Sequence, residues 1–114
     1  MVGVAGPGGA DACARAELTR LPDDDTGTVV LRLGGEVDIS SVPTLQPELD
    51  RVLADAPGSI AFDLADLAFM DSSGIALLLC AAHSVGTVEL RNTSVPIRRL
   101  IELSGLGDIL QAAS

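Results

Sequence analysis

The sequence contains no Trp and no Tyr, and its aromatic fraction is only 2%. The hydrophobic fraction is nevertheless 47% over 114 residues, which is enough for one domain with a real core. That core must be aliphatic, built from Leu, Val, Ile and Ala. The longest apolar run, residues 75–82, is far shorter than the roughly 20 residues that a membrane-spanning helix needs.

Lysine is absent as well, and the seven Arg residues are outnumbered by 16 Asp and Glu, so the net charge is −9. This excess of negative charge argues against binding to nucleic acid or to an anionic membrane, because both need basic patches. The only basic cluster, formed by Arg91, Arg98 and Arg99, is too small to reverse that conclusion.

The first residues, "MVGVAGPGGADA", lack the basic start and the apolar stretch that are typical of an export signal. We therefore predict a flexible tail over residues 1–12, a single domain over residues 13–114, and a cytoplasmic location. Cys13 and Cys80 lie far apart in the sequence. Without an export signal, two buried or idle thiols are a better interpretation than a disulfide.

Strand-like and helix-like segments alternate after the tail. Alternating polarity and β-branched residues predict four strands, at residues 13–21, 28–35, 59–64 and 87–92. Helical spacing predicts three helices, from about Thr44 to Ala54, from about Ser73 to Val85, and after Ser94, with a short final element near residues 107–111. The first two strands should form an antiparallel hairpin. The order predicts a small α/β domain, with helices packed on a mostly parallel or mixed sheet of about four strands.

Pro47 decides where the first helix is expected to begin. Ser40 or Ser41 would be a suitable cap, but a helix counted from Ser41 carries Pro47 past its first turn. Proline there removes a backbone hydrogen bond. A helix capped by Thr44 keeps Pro47 within the first turn, and we prefer that start.

Catalytic and metal-binding groups are scarce. The single histidine, His83, forms a Cys-x-x-His pair with Cys80, and no second pair completes a zinc site. Cys80 as nucleophile with His83 as base remains as an enzymatic alternative. The acidic run Asp23–Asp25 could bind calcium but is better interpreted as a solvated turn. We predict a protein without cofactor or metal that is not an enzyme.

Four carboxylates lie near strand-to-helix transitions, Asp38, Asp63, Asp66 and Asp71, and two of them, Asp38 and Asp71, stand just before a helix. Sites in open α/β sheets gather at the carboxyl ends of strands, so we expect these residues to meet at one edge as a binding surface. Asp71 opens the motif Asp-Ser-Ser-Gly, which ends at Gly74. Its serines could simply cap the following helix, or they could be present for a partner to modify.

The helix that follows this motif has no Asp, Glu, Lys or Arg from Ser72 to Val88. Such a helix is either fully buried or covered on its outer face by another molecule. A domain this small cannot bury every helix on all sides. We therefore expect an exposed apolar patch, starting at Ser73, that suits a partner protein.

The segment "FMDSSGIALLL" is preceded by "GGEVDISSVPTL" and followed by "VPIRRLIELSGL". Together these stretches resemble the STAS domain of bacterial anti-sigma-factor antagonists, over about residues 29–110. The resemblance implies binding to an anti-sigma factor that is also a serine kinase, which frees a sigma factor. It also implies that the kinase phosphorylates Ser73, that a serine phosphatase reverses this, and that Asp38 helps the kinase to dock.

The expected partner surface joins the two loops and the first turns of the uncharged helix. It comprises Asp38, Ser40, Ser41, Asp71, Ser72, Ser73, Gly74, Ala76, Leu77 and Cys80. We expect a monomer when the protein is free. The alternative function is a non-enzymatic STAS subunit of a lipid-transport ABC complex or of a stress-signalling assembly. The doubled serine favours the kinase-regulated antagonist.

Overall fold

The computed structural model describes residues 16–113, in which strands and helices alternate. The strands are β1 (Glu17–Leu21), β2 (Val29–Val37), β3 (Ile60–Asp63), β4 (Leu67–Met70), β5 (Val88–Arg91) and β6 (Leu110–Ala113). The helices are α1 (Val42–Leu53), α2 (Ser72–Val85) and α3 (Val95–Leu103). This arrangement confirms the predicted α/β class. The predicted tail, residues 1–12, and Cys13 lie outside the described residues.

The long strand β2 organises the sheet. β1 pairs with it antiparallel, as the hairpin pattern predicts, while β3 and β4 pair in parallel with successive parts of it. β5 pairs with β3, and β6 with β5, both in parallel. The strand order is β1-β2-β3-β5-β6, with β4 beside the second part of β2. The mixed, mostly parallel sheet is thus confirmed.

The sheet has more strands than the expected four. No strand was predicted at residues 67–70, and residues 110–113 were covered only in part by the predicted short final element, whereas both segments are strands. β4 can form because β2 continues two residues beyond its predicted end, to Val37. β3 pairs with β2 only as far as Arg32, so residues 35–37 of β2 are left to pair with β4, with a register shift between Gly35 and Glu36.

The preferred start of α1 is wrong, because the helix begins at Val42 and carries Pro47 in its interior. Pro47 deprives the carbonyl of Pro43, four residues earlier, of its usual donor. Both prolines lie on the exposed side of the helix. Water can therefore satisfy that carbonyl, and the buried side of the helix, which includes Leu45 and Leu49, is undisturbed.

Alternate residues of the strands point towards the helices and form one core with them. Leu31, Leu33, Phe62 and Leu90 are each 0% exposed and belong to the same cluster as the buried faces of α1, α2 and α3. Phe62 is the only aromatic residue of this cluster among the described residues. The core is otherwise aliphatic, as the composition predicts.

The opposite face of the sheet carries charges. Arg32, Asp63 and Arg91 are neighbours across β2, β3 and β5. Arg91 donates to Asp24 of the hairpin turn and to Glu89, each at 2.7 Å. The pKa of Asp24 is lowered, first by the hydroxyl of Thr26 and then by Arg91. The carboxylate at the centre of the acidic turn is therefore held in an ion pair.

None of the helices between residues 16 and 113 is long and apolar enough to cross a membrane. In the same part of the chain, no three His, Cys, Asp or Glu side chains form a group that could hold a metal ion.

Candidate partner-binding site

The loops that contain Asp38 and Asp71 are joined at the carboxyl ends of β2 and β4. Val37 is paired with Met70, and the N–H of Asp71 donates to the carbonyl of Val37 at 3.2 Å. Asp38 and Asp71 are the next residues on these two paired strands. The structure therefore brings them to one edge as expected, although it does so through a strand that the sequence analysis missed.

Asp71 is the cap of α2. Its backbone is extended, and its Oδ1 accepts a hydrogen bond from the N–H of Ser73 at 2.8 Å. Its carbonyl accepts from the N–H groups of Gly74 and Ile75, at 3.0 and 3.2 Å. The hypothesis that a serine hydroxyl caps this helix is therefore wrong, because the carboxylate of Asp71 already performs that role.

The hydroxyls of the next two residues, Ser72 and Ser73, take no part in holding the described part of the fold together. Among the described residues, neither Ser72 Oγ nor Ser73 Oγ forms a hydrogen bond. Ser72 is exposed and Ser73 is half-buried at the first turn of α2. Both hydroxyls are thus available to another molecule, and Ser72 is the more accessible of the two.

Gly74 has a packing role and does not offer its backbone to a partner. It is buried, and a Cβ placed on it would overlap Met70 Cγ and lie 2.7 Å from Met70 Sδ and 3.1 Å from Val37 Cγ1. Glycine is required here because α2 starts directly against the ends of β2 and β4. The neighbours that require glycine at this position thus belong to the same chain.

Asp38 organises a hydrogen-bonded turn ahead of α1. Its Oδ1 accepts from Ser40 Oγ at 2.7 Å, from the Ser40 N–H at 3.0 Å and from the Ser41 N–H at 3.2 Å. These bonds, with that from Ser40 Oγ the largest contribution, lower the pKa of Asp38 below its usual value. The carboxylate stays ionised at neutral pH, and Oδ2 makes none of these bonds.

Ser41 occupies the cap position of α1 but does not cap it with its side chain. Its Oγ accepts from the N–H of Asp38 at 2.9 Å and donates to the carbonyl of Asp38 at 3.0 Å. Ser40 and Ser41 therefore hold the Asp38 turn together, rather than the helix that follows.

The exposed face of α2 is a narrow stripe of small side chains. Ser72, Ala76 and Cys80 are exposed at intervals of four residues, which places them on one side of the helix. Leu77, by contrast, is only 2% exposed because it faces the core, so its inclusion in the partner surface is wrong. Ala81 is buried completely.

Cys80 is free and exposed, so of the two expected states, buried or idle, the buried one is wrong. Its Sγ accepts a weak bond, 3.6 Å long, from Gln46 Nε2 of α1. Within the described part of the chain, no hydrogen bond connects it to His83. The pair thus lacks the contact between nucleophile and base on which the enzymatic alternative depends.

An exposed apolar group at this edge was not predicted from the sequence. Ile39 follows Asp38 directly and is 78% exposed, while Phe69 of β4 is 47% exposed. The sequence did contain a sign of Ile39, because it is a lone Ile among Asp and Ser residues where a strand has ended. Such an isolated apolar residue does not match the periodicity of either neighbouring element.

A family model described as "Mlab, STAS domain" matches residues 22–111. The chain belongs to the STAS domain family. This match confirms the resemblance that rests on the Asp71–Gly74 motif and its flanking segments.

Two relatives are named as antagonists. The anti-sigma F factor antagonist of Lysinibacillus sphaericus is 33% identical over 92 residues, which cover 76% of this chain and 79% of that protein. The anti-sigma-F factor antagonist RsfB of Mycobacterium tuberculosis is 32% identical over 63 residues, or 55% of this chain and 52% of RsfB. The match thus spans about half the length of RsfB. These names describe regulatory binding proteins and not enzymes, in agreement with the expectation of a non-enzymatic protein.

Solved structures agree on the fold. An anti-sigma factor antagonist from Mycobacterium paratuberculosis has a TM-score of 0.71 and 27% identity, covering 84% of this chain and 85% of that one. Unphosphorylated SpoIIAA, an anti-sigma factor antagonist, has a TM-score of 0.67 and 29% identity, covering 87% and 88%. The phosphorylated form of Bacillus SpoIIAA has a TM-score of 0.61 and 28% identity, covering 87% and 91%.

Proposed function

We propose that the protein is an anti-sigma-factor antagonist that is switched off by phosphorylation of Ser73. In this proposal it binds an anti-sigma factor that is also a serine kinase, and a sigma factor is thereby released. A serine phosphatase returns the protein to its binding form. The names of the relatives and the existence of SpoIIAA in a phosphorylated form support both parts of the proposal.

The observation that carries the proposal is that one residue of the motif caps the helix while another carries an unused hydroxyl. Asp71 caps α2 through the N–H of Ser73, so that the Ser73 hydroxyl is not needed for the fold. It stands at the same edge as Asp38, which the resemblance associates with kinase docking. A group that is dispensable for folding, placed beside a docking carboxylate, is suited to reversible modification.

Electrostatics explain how a phosphate would act as a switch. Phosphorylation adds about −1.5 to −2 charges at neutral pH. The first turn of a helix favours an anion by about 0.3–1 kcal/mol, so the fold should tolerate the change. A partner carboxylate about 7 Å away would be repelled by roughly 2 kcal/mol per unit charge at an effective dielectric near 20. This corresponds to more than a tenfold loss of affinity, without refolding.

The test is phosphorylation in a purified system. The protein is incubated with ATP and with each serine-kinase anti-sigma factor encoded in the same genome, and mass spectrometry locates the phosphate. We expect phosphate on Ser73 in the wild type and in Ser72→Ala, and none in Ser73→Ala. Ser73→Ala should still bind the kinase.

The matched pair of serines makes the result decisive, because Ser72 is the more exposed hydroxyl. Phosphate on Ser72 would show that accessibility selects the acceptor and would overturn the assignment of Ser73. An absence of both phosphate and binding with every such kinase would contradict the antagonist function. It would favour the alternative of a non-enzymatic STAS subunit in a transport or stress-signalling assembly.

A further inference from the structure

Large apolar side chains are exposed at few places in the described part of the chain. Five such residues are exposed there, and two of them, Ile39 and Phe69, lie within two residues of the paired positions Val37 and Met70. The other three are in α3 and in the segment before β6: Val95, Leu103 and Ile109. At the Asp38 edge, Ile39 is the most exposed, at 78%.

The backbone around Ile39 is fixed from both sides. The carboxylate of Asp38, on one side, accepts three bonds from Ser40 and Ser41, on the other. The hydroxyl of Ser41 closes the turn by bonding to both backbone groups of Asp38. The turn therefore holds an apolar side chain in water without burying it. A side chain presented on a rigid turn loses little conformational freedom when a partner buries it.

The surroundings of Ile39 indicate the chemistry of the group that would cover it. Asp38 precedes it, and Asp71 begins the loop on the neighbouring strand. Within the described residues, no Arg forms an ion pair with either carboxylate. An occupant must therefore combine an apolar pocket for the side chain with cationic groups for these two carboxylates.

We infer that Ile39 is the apolar anchor with which the protein binds its anti-sigma factor, through an apolar pocket rimmed by cationic side chains. The inference rests on the proposed antagonist function and specifies the partner surface. It assigns binding energy to a residue between the docking carboxylate and the serines of the turn. Central apolar anchors surrounded by polar contacts commonly carry most of the energy of an interface.

The test is calorimetric titration of the purified anti-sigma factor with four forms of the full chain. These are the wild type, Ile39→Ala, Ile39→Val and Leu103→Ala. Leu103 is a matched control, since it is an aliphatic side chain 81% exposed on α3. We expect Ile39→Ala to lower affinity at least tenfold, and Ile39→Val and Leu103→Ala to lower it less than threefold. All four forms should melt at nearly the same temperature.

The outcomes separate this inference from the proposed function. If the wild type binds none of the anti-sigma factors encoded in the same genome, the antagonist function fails, and this inference fails with it. If the wild type binds and Ile39→Ala binds equally well, the anchor is wrong while the function stands. An equal loss in Leu103→Ala would also overturn the anchor, because the effect would not be local. Unfolding of Ile39→Ala would contradict the exposed position on which the inference depends.

Discussion

Gly74 and Met70 are packed so closely that no larger side chain fits at position 74. A Cβ on Gly74 would overlap Met70 Cγ and lie 2.7 Å from Met70 Sδ. The start of α2 is thereby held against the end of β4, where Ser72 and Ser73 are displayed. Gly74 thus determines where the two serines lie and takes no part in their chemistry.

Gly74→Ala should therefore destabilise the fold, by about 1–3 kcal/mol, because the added methyl group forces Met70 or the helix to move. Urea denaturation followed by circular dichroism measures the change in the free energy of unfolding. Gly107→Ala is the control, because a Cβ at that position would have no atom within 4 Å. An unchanged stability of Gly74→Ala would contradict the close contact.

Loss of the helix cap should be measurable at Asp71. Asp71→Ala removes the acceptor for the N–H of Ser73 and should cost about 1 kcal/mol of stability, whereas Asp71→Asn should keep most of the cap. Ser72→Ala, which removes an exposed hydroxyl, should change stability by less than about 0.5 kcal/mol. A larger loss in Ser72→Ala than in Asp71→Ala would return the capping role to the serines.

The charge of Asp38 and its hydrogen bonds within the turn can be tested separately. Asp38→Asn keeps an acceptor for Ser40 and Ser41 but removes the charge, while Asp38→Ala removes both. If the charge meets a cation of the partner, both variants should lose affinity for the anti-sigma factor, and Asp38→Ala should lose more. The stability of Asp38→Ala should fall by less than about 1 kcal/mol. Normal binding by Asp38→Asn would restrict Asp38 to holding the turn.

How much of the fold the sequence could predict depended on how clearly each element is delimited along the chain. The long elements β2 and α2 were recognised because β-branched residues extend along the first and a long apolar run follows the Asp-Ser-Ser-Gly motif in the second. β4 is as long as β3 and β5, which were predicted, but only three residues separate it from β3, so the sequence there was interpreted as one strand followed by a loop. Its existence depends on parallel pairing with residues 35–37 of β2, which is a property of the sheet and not of local sequence.

The candidate site also has some features that the sequence could predict and others that it could not. That Asp38 and Asp71 should meet followed from their positions before helices, without knowledge of β4. Which side chain of the motif caps α2 could not be decided, because Asp and Ser are both good caps and differ by little in energy. The burial of Leu77 and the exposure of Cys80 depend on how α2 is rotated against the sheet. An apolar helix without charged residues gives no sequence pattern that fixes that rotation.

Acid should weaken the link between the hairpin turn and β5. The pKa of Asp24 is lowered in the folded protein by Thr26 and Arg91. A carboxylate with a depressed pKa adds stability above its unfolded pKa, about 3.9, and loses it as the pH falls through the folded pKa. Asp24→Asn should thus be less stable than the wild type at pH 7, and the difference should shrink below about pH 4.

The control for this experiment is Asp25→Asn in the same turn, since Asp25 forms no ion pair among the described residues. Thermal melts of the three proteins between about pH 2 and pH 7 give the comparison. A difference between wild type and Asp24→Asn that stays constant over this range would show that the bond to Arg91 does not depend on the ionised carboxylate.

The exposed stripe of α2 gives the most direct test of where the partner binds. Ala76 and Cys80 are exposed, while Ala81 is 0% exposed. In the proposed complex a charge at an outward position would be desolvated against the partner. Ala76→Glu or Cys80→Glu should therefore lower the affinity for the anti-sigma factor by at least about 2 kcal/mol, with a melting temperature near that of the wild type. Ala81→Glu should unfold the domain, because it buries an unpaired charge. If Ala76→Glu and Cys80→Glu are both stable and both bind normally, the partner contacts only the loops at Asp38 and Ser73, and α2 serves to position the serines.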